Sequence, residues 1–357
     1  MSFRLKILSD GRINSCRKNM MKQKVVILGY STQLSGGVTK VSSYLLSQVD
    51  ELDLHPVLGC YHPFLKSIVY TLFSLLCWSW KLVKSRKKYK GVIVIIASVG
   101  DVIRTIPFIW VSLLFGLRVS SQFHSNTSIL EGVWKHDVAR YLILSTWKNL
   151  AFHTCLSDSL KKEYQAFLGA DCKIIVIPNA LERKWLNTQA LAYTERTRDI
   201  VYFGRWSEEK GIYDLINAMK MVGDNIVCEI YSDPPAGISY DNCRLYPWVD
   251  EERVLEIMRT ARLLVLPSYK EAYPTVLLEA IACRTPFIAT RVGGIPDIVK
   301  QSNCGLLIEI GDVKGLATTI TRLLKNENEW SQYSQLQSNW IQSHDIGHIA
   351  AKWRSQF

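Results

Sequence analysis

The sequence lacks the marks of a secreted or membrane-spanning protein. Its nine cysteines form an odd, scattered set without any C-x-x-C pair, which favours reduced thiols in a cytosolic protein. The N-terminus has basic residues but no apolar h-region, so we expect no secretory signal and predict a disordered basic extension over residues 1–20. The longest apolar runs, at 67–80 and 106–117, are too short for a bilayer, which needs about 20 residues.

Charge is distributed unevenly along the chain. Residues 1–190 hold 25 Lys and Arg against 11 Asp and Glu, a net charge of +14, whereas the remainder holds 18 against 21, a net charge of −3. A basic first half beside a nearly neutral second half indicates an anionic partner for the first half. Membrane phospholipid, a phosphorylated lipid substrate and nucleic acid all fit that description, but no nucleic-acid recognition motif is present.

An apolar, aromatic-rich run at 67–80 lies directly before a cationic cluster. The cluster, KLVKSRKKYK at 81–90, has six cations in ten residues. Two interpretations follow from this pattern. Either the segment lies on an anionic membrane surface with its cations at the headgroups, or it is a buried helix with a solvated, charged end.

Apolar runs of strand length, separated by helix-length segments, predict a parallel α/β organisation. In the first half these runs lie at 24–30, 91–98, 117–125, 152–157 and 173–179. After a polar linker the pattern restarts with a strand at 199–205 and a helix whose apolar residues recur at helical spacing from Ile212 to Met219. Later strands are predicted at 226–232, 263–268 and 285–290. Since 357 residues exceed the usual size of one core, we predict two doubly wound α/β domains facing each other across a cleft.

The stretch KEAYPTVLLEA, at 270–280, places two carboxylates among apolar residues. Pro274 suits the first position of a helix, which would run to about Cys283. The amides of Thr275 and Val276 would point out of the N-terminus of this helix, where an anion or sugar hydroxyls can be held.

The two carboxylates would touch different parts of one elongated ligand. Glu271 precedes the predicted helix, and Glu279 lies about a turn and a half inside it. A plainer interpretation is equally open from the residue types alone. In that interpretation Glu271 complements the helix dipole, a contribution of about 0.3 to 1 kcal/mol, and Glu279 lies on a solvated helix face.

Residues 263–299, LLVLPSYKEAYPTVLLEAIACRTPFIATRVGGIPDIV, resemble the signature of the retaining glycosyltransferases of family 4, which have the GT-B fold of two Rossmann-like domains. Further similarity lies in VYFGRWSEEKGIYDLINAM at 201–219, VIPNA at 176–180, SSQFHS at 120–125 and SGGVTKVSSYL at 35–45. The resemblance covers most of residues 24–357, strongly over 200–300 and loosely before 176.

The resemblance implies a site for a nucleotide-diphosphate sugar. Glu279 would bind the ribose hydroxyls and Glu271 the hydroxyls of the donor sugar, while Arg205 and Lys210 would bind the pyrophosphate. His124 would contact the donor sugar or the acceptor. The other expected donor contacts are Gly36, Gly37, Tyr273, Pro274, Thr275 and Val276. No metal ion is expected, and no cofactor besides the nucleotide-sugar co-substrate.

Several of these residues also have a structural interpretation. Lys210 could be a surface lysine, although a cation before a helix that begins near Gly211 is unfavourable unless an anion is bound. His124 could be a core histidine, and the Gly-Gly pair could form an ordinary strand-to-helix turn. His344 and His348 stand four residues apart, a spacing that can bind zinc on a helix, but the sequence offers no third ligand nearby.

The resemblance thus implies a retaining, metal-independent glycosyltransferase that uses a UDP- or GDP-sugar. The expected acceptor is a lipid-linked saccharide at the cytoplasmic membrane, as in surface polysaccharide biosynthesis. Two alternatives stay open, a GT-B nucleotide-sugar epimerase and a non-catalytic nucleotide-sugar-binding subunit. The second alternative rests on departures from the family pattern, among them Ala272 in place of glycine.

The same resemblance divides the chain into parts. We expect an acceptor-side domain over 21–178 and a nucleotide-sugar-binding domain over 179–340. A terminal helix within 341–357 is expected to pack back toward the first domain.

Overall fold

The computed structural model describes residues 23–30, 42–43, 45–47, 50–58, 64–125, 137–335 and 338–357. These residues form two six-stranded sheets in which every neighbouring pair of strands is parallel, with helices flanking both sheets. The predicted fold class, two doubly wound α/β domains, is confirmed. The predicted extension over 1–20 and the glycines Gly36 and Gly37 lie outside the described residues.

The N-terminal sheet has the strand order β2-β1-β3-β4-β5-β6. Its strands are β1 Lys24–Tyr30, β2 Leu52–Leu58, β3 Tyr89–Ile96, β4 Arg118–Phe123, β5 Phe152–Cys155 and β6 Ile174–Val176. The helices between them are α1 Phe64–Ser85, α2 Val99–Arg104, α3 Ile106–Leu114, α4 Asp137–Lys148 and α5 Asp158–Leu168. The strand order reverses between β1 and β3, so the ligand crevice of this domain is expected at that point.

The C-terminal sheet has the order β12-β11-β10-β7-β8-β9 and reverses between β10 and β7. Its strands are β7 Arg198–Phe203, β8 Cys228–Tyr231, β9 Cys243–Tyr246, β10 Ala261–Leu266, β11 Phe287–Thr290 and β12 Gly305–Ile308. The helices after residue 178 are α6 Arg183–Leu186, α7 Ile212–Val222, α8 Glu251–Thr260, α9 Thr275–Ala282, α10 Ile295–Ser302, α11 Val313–Lys325, α12 Glu327–Tyr333, α13 Ser338–Gln342 and α14 Ile346–Arg354.

The sequence pattern missed three strands, and all three lie at sheet edges. These are Leu52–Leu58, Cys243–Tyr246 and Gly305–Ile308. An edge strand is less buried than a central one, so its sequence needs no continuous apolar run, and Pro56 in the first of them is tolerated because an edge strand can leave a donor unused. The central strands, which are buried on both faces, produced the apolar runs that were recognised.

Hydrogen bonds join the two domains. The carboxylate of Asp297, in the first turn of α10, accepts from the backbone N–H of Ser159 at 2.8 Å and from its hydroxyl at 2.9 Å. The side-chain amide of Asn179 donates to the carbonyl of Tyr273 at 2.7 Å. The segment that leads from the first domain into the second is therefore tied to the loop that carries Glu271.

The terminal helix α14 packs on the first domain. Its buried residues Ile346, Ile349, Ala350 and Trp353 share one hydrophobic cluster with Val25, Ile27, Ile93, Ile95 and Phe152 of the N-terminal sheet. Two backbone hydrogen bonds join Leu181 to the start of this segment. The N–H of Leu181 donates to the carbonyl of His344, and the carbonyl of Leu181 accepts from the N–H of Ile346. The chain thus crosses from the second domain back to the first before it ends.

Helix α1 decides one of the two interpretations given for the segment 67–80. Its 22 residues are longer than the apolar run. One face is buried through Ser74, Trp78 and Leu82, whereas the opposite face is exposed and apolar. The segment is therefore not a fully buried helix, and the interpretation that it lies on a membrane surface stays a prediction. Among the described residues, no helix combines the length and apolar content needed to cross a bilayer.

Candidate functional site

Two loops meet where the C-terminal sheet reverses its strand order. One follows β7 and contains Arg205 and Lys210, and the other follows β10 and contains Glu271. In doubly wound sheets the carboxyl ends of the strands at this point line the ligand crevice. The topology therefore places three of the predicted site residues at the position where a ligand is expected.

The loop after β7 is shaped by Tyr202 and by two glycines. The hydroxyl of Tyr202 donates to the carbonyls of Arg205 and Lys210, at 3.2 and 3.4 Å. A Cβ at Gly204 would lie 2.5 Å from that hydroxyl, so a side chain there would displace the Tyr202 ring from its present position. Gly211 has a φ of +67°, and its Cβ would lie 1.9 Å from the carbonyl oxygen of Pro267 in the other loop.

The ion pair between Lys210 and Glu271 connects the two loops. The Lys210 Nζ lies 2.6 Å from the Glu271 Oε1, and the side chains are 20% and 12% exposed. A cation directly before the N-terminus of α7 is unfavourable unless an anion lies beside it. The carboxylate of Glu271 is that anion for Lys210. Lys210 is therefore not the freely solvated surface lysine of the plainer interpretation, and Glu271 does more than complement a helix dipole.

Gly293 and Gly294 support the Glu271 loop from its other side. Gly293 has a φ of +52°, and a Cβ there would lie 2.0 Å from the carbonyl oxygen of Glu271. The N–H of Gly294 donates to the carbonyl of Ala272 at 2.7 Å. The GGIPDI turn thus holds the backbone of the carboxylate loop, which the resemblance alone did not explain.

Helix α9 begins one residue later than predicted. Pro274 has φ −68° and ψ +123° and is the N-cap rather than the first helical residue, because its extended ψ lies outside the helical range. Thr275 and Val276 form the first turn, where backbone amides have no intrahelical acceptor. The amides of Thr275 and Val276 therefore lie at the N-terminus of the helix, as the sequence predicted, and Glu271 is in the loop directly before it.

The carboxylate of Glu279 lies inside the protein. Glu279 is 4% exposed and belongs to α9, so the interpretation that placed it on a solvated helix face is wrong. An ionised carboxylate at such a position requires hydrogen-bond donors. A side chain this buried makes its contacts within the protein or with a ligand, and not with bulk solvent.

Tyr273 links the site to the terminal segment. Its hydroxyl lies 3.0 Å from the Nε2 of His344, and burial raises the pKa of the phenol. Burial also lowers the pKa of His344 to about 4, so the imidazole is neutral at pH 7. Tyr273 is 5% exposed, which makes it a wall of the site that holds the loop in place.

His124 follows β4 in the N-terminal domain. Its backbone N–H donates to the carbonyl of Ile96 at 2.8 Å. Its Nε2 is buried and has no hydrogen-bond partner among the residues that the structure describes. Burial lowers the pKa of the ring to about 4. The neutral imidazole can accept or donate one hydrogen bond to a hydroxyl group.

The histidine pair near the C-terminus makes structural contacts. His344 lies before α14, since Asp345 is the N-cap of that helix, so the two imidazoles do not share a helix face as the zinc interpretation required. His344 Nδ1 lies 3.1 Å from the carbonyl of Trp340, and His348 Nδ1 lies 3.0 Å from the carbonyl of Gln342. Within the described ranges no cluster of metal-ligating side chains is present.

Three residues of the site were not singled out from the sequence. Tyr202 positions the loop after β7, and the hydroxyls of Ser207 and Ser268 are buried without a hydrogen-bond partner within the described part of the chain. Ser207 and Ser268 lie in the two loops that carry Lys210 and Glu271. A buried polar atom without a partner calls for an explanation, and polar residues next to strand ends are the signal that could have identified them.

The C-terminal domain matches a protein family. The family described as glycosyl transferases group 1 matches residues 197–326, which include both loops and α9. Over 77 residues the chain is 44% identical to the N-acetyl-alpha-D-glucosaminyl L-malate synthase of Bacillus anthracis. Over 184 residues it is 32% identical to TuaC of Bacillus subtilis strain 168, a glycosyltransferase named for teichuronic acid biosynthesis. These matches cover 22% and 49% of the chain, which spans 20% and 47% of the two relatives.

A solved structure is similar over nearly the whole chain. Anabaena HepE in complex with UDP has a TM-score of 0.73 over 93% of this chain and 99% of its own, at 14% identity. The same Anabaena protein has also been solved with UDP-glucose. At this identity the similarity concerns the fold. The two domains of this chain therefore form a GT-B fold, as predicted, and its residues 197–326 match the glycosyl transferases group 1.

Proposed function

We propose that this protein is a glycosyltransferase that moves a sugar from a nucleotide-diphosphate sugar to a saccharide acceptor, with retention of the anomeric configuration and without a metal ion. One observation carries the proposal. Lys210 and Glu271 meet at the strand reversal of the C-terminal sheet, beside the amide-rich N-terminus of α9. A cation, a carboxylate and backbone donors within one crevice are the groups that a phosphorylated sugar requires.

In this proposal Lys210 and Arg205 bind the pyrophosphate of the donor. The ammonium of Lys210 has three N–H donors, so it can keep its contact with Glu271 and still reach a phosphate oxygen. Arg205 is exposed just after the carboxyl end of β7 and pairs with no acidic residue in the part of the chain that the structure describes, so its guanidinium can bind phosphate in a bidentate manner. When the sugar leaves, negative charge develops on the phosphate, and these two cations stabilise it.

The two carboxylates would bind the two ends of the donor. Glu279 accepts hydrogen bonds from the ribose hydroxyls, and Glu271 accepts them from the sugar. The amides of Thr275 and Val276 donate to the group between them. Hydrogen bonds to a charged group contribute about 1.5 to 3 kcal/mol each, so Glu279 alone would change the affinity for nucleotide by about tenfold or more.

His124 would act from the opposite domain. Its neutral ring, with a buried Nε2, can bind a hydroxyl of the donor sugar or of the acceptor. Departure of the phosphate and attack of the acceptor on one face of the sugar would retain the configuration. The acceptor we propose is a lipid-linked saccharide at the cytoplasmic face of a membrane, in surface polysaccharide biosynthesis, because the N-terminal domain is basic and exposes apolar residues.

The donor class is tested first by thermal shift. The purified chain is melted with UDP, GDP, ADP, CDP and their sugars, beginning with UDP-glucose because the Anabaena protein was solved with it. A ligand at about 100 times its Kd stabilises a protein by about 2.7 kcal/mol, or a few degrees. We expect one nucleotide to produce this shift, and Glu279→Gln to reduce it.

Glu252→Gln is the matched control, because Glu252 is an exposed carboxylate on α8 of the same domain. Release of free sugar from the donor without acceptor then separates an enzyme from a non-catalytic binding subunit. A folded protein that binds no nucleotide, or whose binding is equally weakened by both substitutions, would contradict the proposal. Conversion of the donor sugar to its epimer would favour the epimerase alternative.

A further inference from the structure

We propose that helix α1 is a membrane-docking surface that lies flat on an anionic lipid bilayer. Six apolar side chains of this helix form a stripe along the face opposite to its buried side. They are Val69, Leu72, Phe73, Leu76, Trp80 and Val83, and each is between 56% and 70% exposed. Their spacing, with steps of three and four residues, places them within one narrow arc of the helix. We call this set the α1 stripe.

The α1 stripe is not the face by which the helix packs on its own domain, because the opposite face is buried in the core. Trp78 is fully buried and donates from its Nε1 to the Ser112 hydroxyl at 3.1 Å. The Ser74 hydroxyl donates to the carbonyl of Pro56 at 2.8 Å. Leu82 is fully buried as well. The opposite face of the helix is therefore packed in the core, while the stripe is exposed.

A neighbouring helix also exposes large apolar side chains. Helix α3 packs against α1 and exposes Trp110 and Leu114, the latter 85% exposed. Large exposed apolar patches are uncommon on soluble proteins and mark sites of interaction, and the α1 stripe alone has six exposed apolar side chains on one face. The stripe runs from Val69 to Val83, a distance of 14 residue steps or about 21 Å at 1.5 Å per residue. This length suits a helix lying in the plane of a bilayer better than one entering a pocket.

The charges at the end of α1 identify the partner. Helix α1 contains no acidic residue, and five of the six cations at 81–90 fall into two groups. Lys81 and Arg86 are engaged, the first with Asp53 at 3.2 Å and the second with the carbonyls of Tyr89 and Gly116. Lys84, Lys87 and Lys88 form the second group.

This second group is exposed and makes no ion pair with any described residue. The Nζ of Lys84 lies over the ring of Trp80, 4.8 Å from its centroid. Lysine is depleted at protein interfaces, whereas lysines beside apolar and aromatic side chains bind anionic lipid surfaces. The stripe would enter the acyl boundary and the three lysines would contact the phosphates.

The consequence of this docking rests on the proposed function. A bilayer under α1 would hold the N-terminal domain, where the acceptor is proposed to bind, directly at the surface that carries a lipid-linked acceptor. The docking itself does not depend on catalysis, so the two proposals can fail separately.

Cosedimentation with vesicles tests the surface. The full chain is mixed with vesicles of phosphatidylcholine alone and of equimolar phosphatidylcholine and phosphatidylglycerol. We expect the wild type to bind the second kind. Binding should be at least tenfold weaker than wild type for Leu72→Ser/Leu76→Ser. In Lys84→Gln/Lys87→Gln, it should be about fivefold weaker for each lysine replaced. High salt should weaken binding of the wild type. The matched control is Met221→Ser/Ile310→Ser, which removes exposed apolar side chains from the C-terminal domain and should bind as the wild type does.

Each outcome decides the question. Absence of binding to both kinds of vesicle, or equal loss in the control variant, would overturn the proposal. Sedimentation velocity distinguishes a protein partner: a wild-type dimer that dissociates in Leu72→Ser/Leu76→Ser, without vesicle binding, would make the stripe a contact between two copies. Should that variant melt earlier than the control, Val69→Ser/Val83→Ser replaces it. Vesicle binding by a chain that binds no nucleotide would support the surface and contradict the proposed function alone.

Discussion

The two domains share one architecture but differ in what surrounds their strand ends. In the C-terminal domain the loops after β7 and β10 bind each other through Lys210 and Glu271, and the hydroxyl of Tyr269 in the second loop donates to Asp214 in the first turn of α7 at 2.8 Å. In the N-terminal domain His124 keeps a buried ring nitrogen without a partner among the described residues, and α1 exposes its apolar stripe.

The difference separates two tasks. A loop pair that is held by its own hydrogen bonds and glycine contacts offers a preorganised site, which suits a ligand common to many related proteins. Exposed apolar and basic surface, in contrast, suits a partner that differs from one protein to the next. The family model accordingly matches residues 197–326, which contain the loop pair. Four predictions test how far this division holds.

Replacement of Arg196 is expected to have the largest effect on stability. The effect should be confined to the C-terminal domain. Its buried guanidinium donates to the carbonyls of Ala261, Cys283 and Arg284, and burial lowers its pKa to about 10. Arg196→Met would leave these acceptors unpaired, at a cost of about 3 to 5 kcal/mol in the free energy of unfolding. Urea titration measures the loss, and hydrogen exchange should show it in β7 and β10 but not in β1 or β3. The exposed Arg253→Met is the control, and an equal loss there would contradict the interpretation.

Lys210 should matter for turnover more than for stability. Lys210→Ala is expected to lower kcat for donor hydrolysis or transfer by about 10²- to 10³-fold, as the loss of a charge-stabilising donor does. Lys270→Ala is the matched control, because Lys270 lies in the neighbouring loop and forms an exposed ion pair with Glu209 at 3.3 Å. Similar activity in both variants would show that the ion pair with Glu271 is structural.

Acid should destabilise the N-terminal domain more steeply. Burial lowers the pKa of His124 and of His153 to about 4. The pKa of each ring is lower in the folded protein than its unfolded value of 6.5. The contribution of each histidine to the free energy of unfolding is therefore complete above pH 6.5 and is lost as pH falls from 6.5 to 4. Each histidine contributes about 1.4 kcal/mol per pH unit there.

Melting curves between pH 7 and pH 4 measure this slope. His153→Gln should flatten it, whereas His348→Gln, at an exposed histidine, should leave it unchanged. A slope that is the same in wild type and His153→Gln would show that the buried ring does not govern the response to acid.

Tyr202 should have the smallest effect. Tyr202→Phe removes the hydroxyl that binds the carbonyls of Arg205 and Lys210, a loss of about 0.5 to 1.5 kcal/mol. We expect a two- to tenfold weaker nucleotide affinity, within about that range of energy, with little change in melting temperature. Tyr213→Phe, at an exposed tyrosine of α7, serves as the control. If stability falls and affinity does not, Tyr202 supports the core and not the loop.

Much of the fold followed from the sequence pattern, because central parallel strands are buried on both faces and must be apolar. The same reasoning missed β2, β9 and β12, whose edge positions relax that requirement. Helix α1 shows a second limit. Its residues are apolar on two faces, so periodicity alone does not tell which face is buried, and the contact with Ser112 decides it.

The sequence by itself determined the α/β class, the basic first half and the residue types of the two-carboxylate stretch. Tertiary structure decided which of those residues meet. Lys210 and Glu271 are far apart in the chain but 2.6 Å apart in space, since two strands that are not consecutive lie side by side at the reversal of the sheet. Burial of Glu279 and exposure of the α1 stripe were likewise decided by packing, because a residue's type specifies what it can bind and its neighbours in space specify what it does bind.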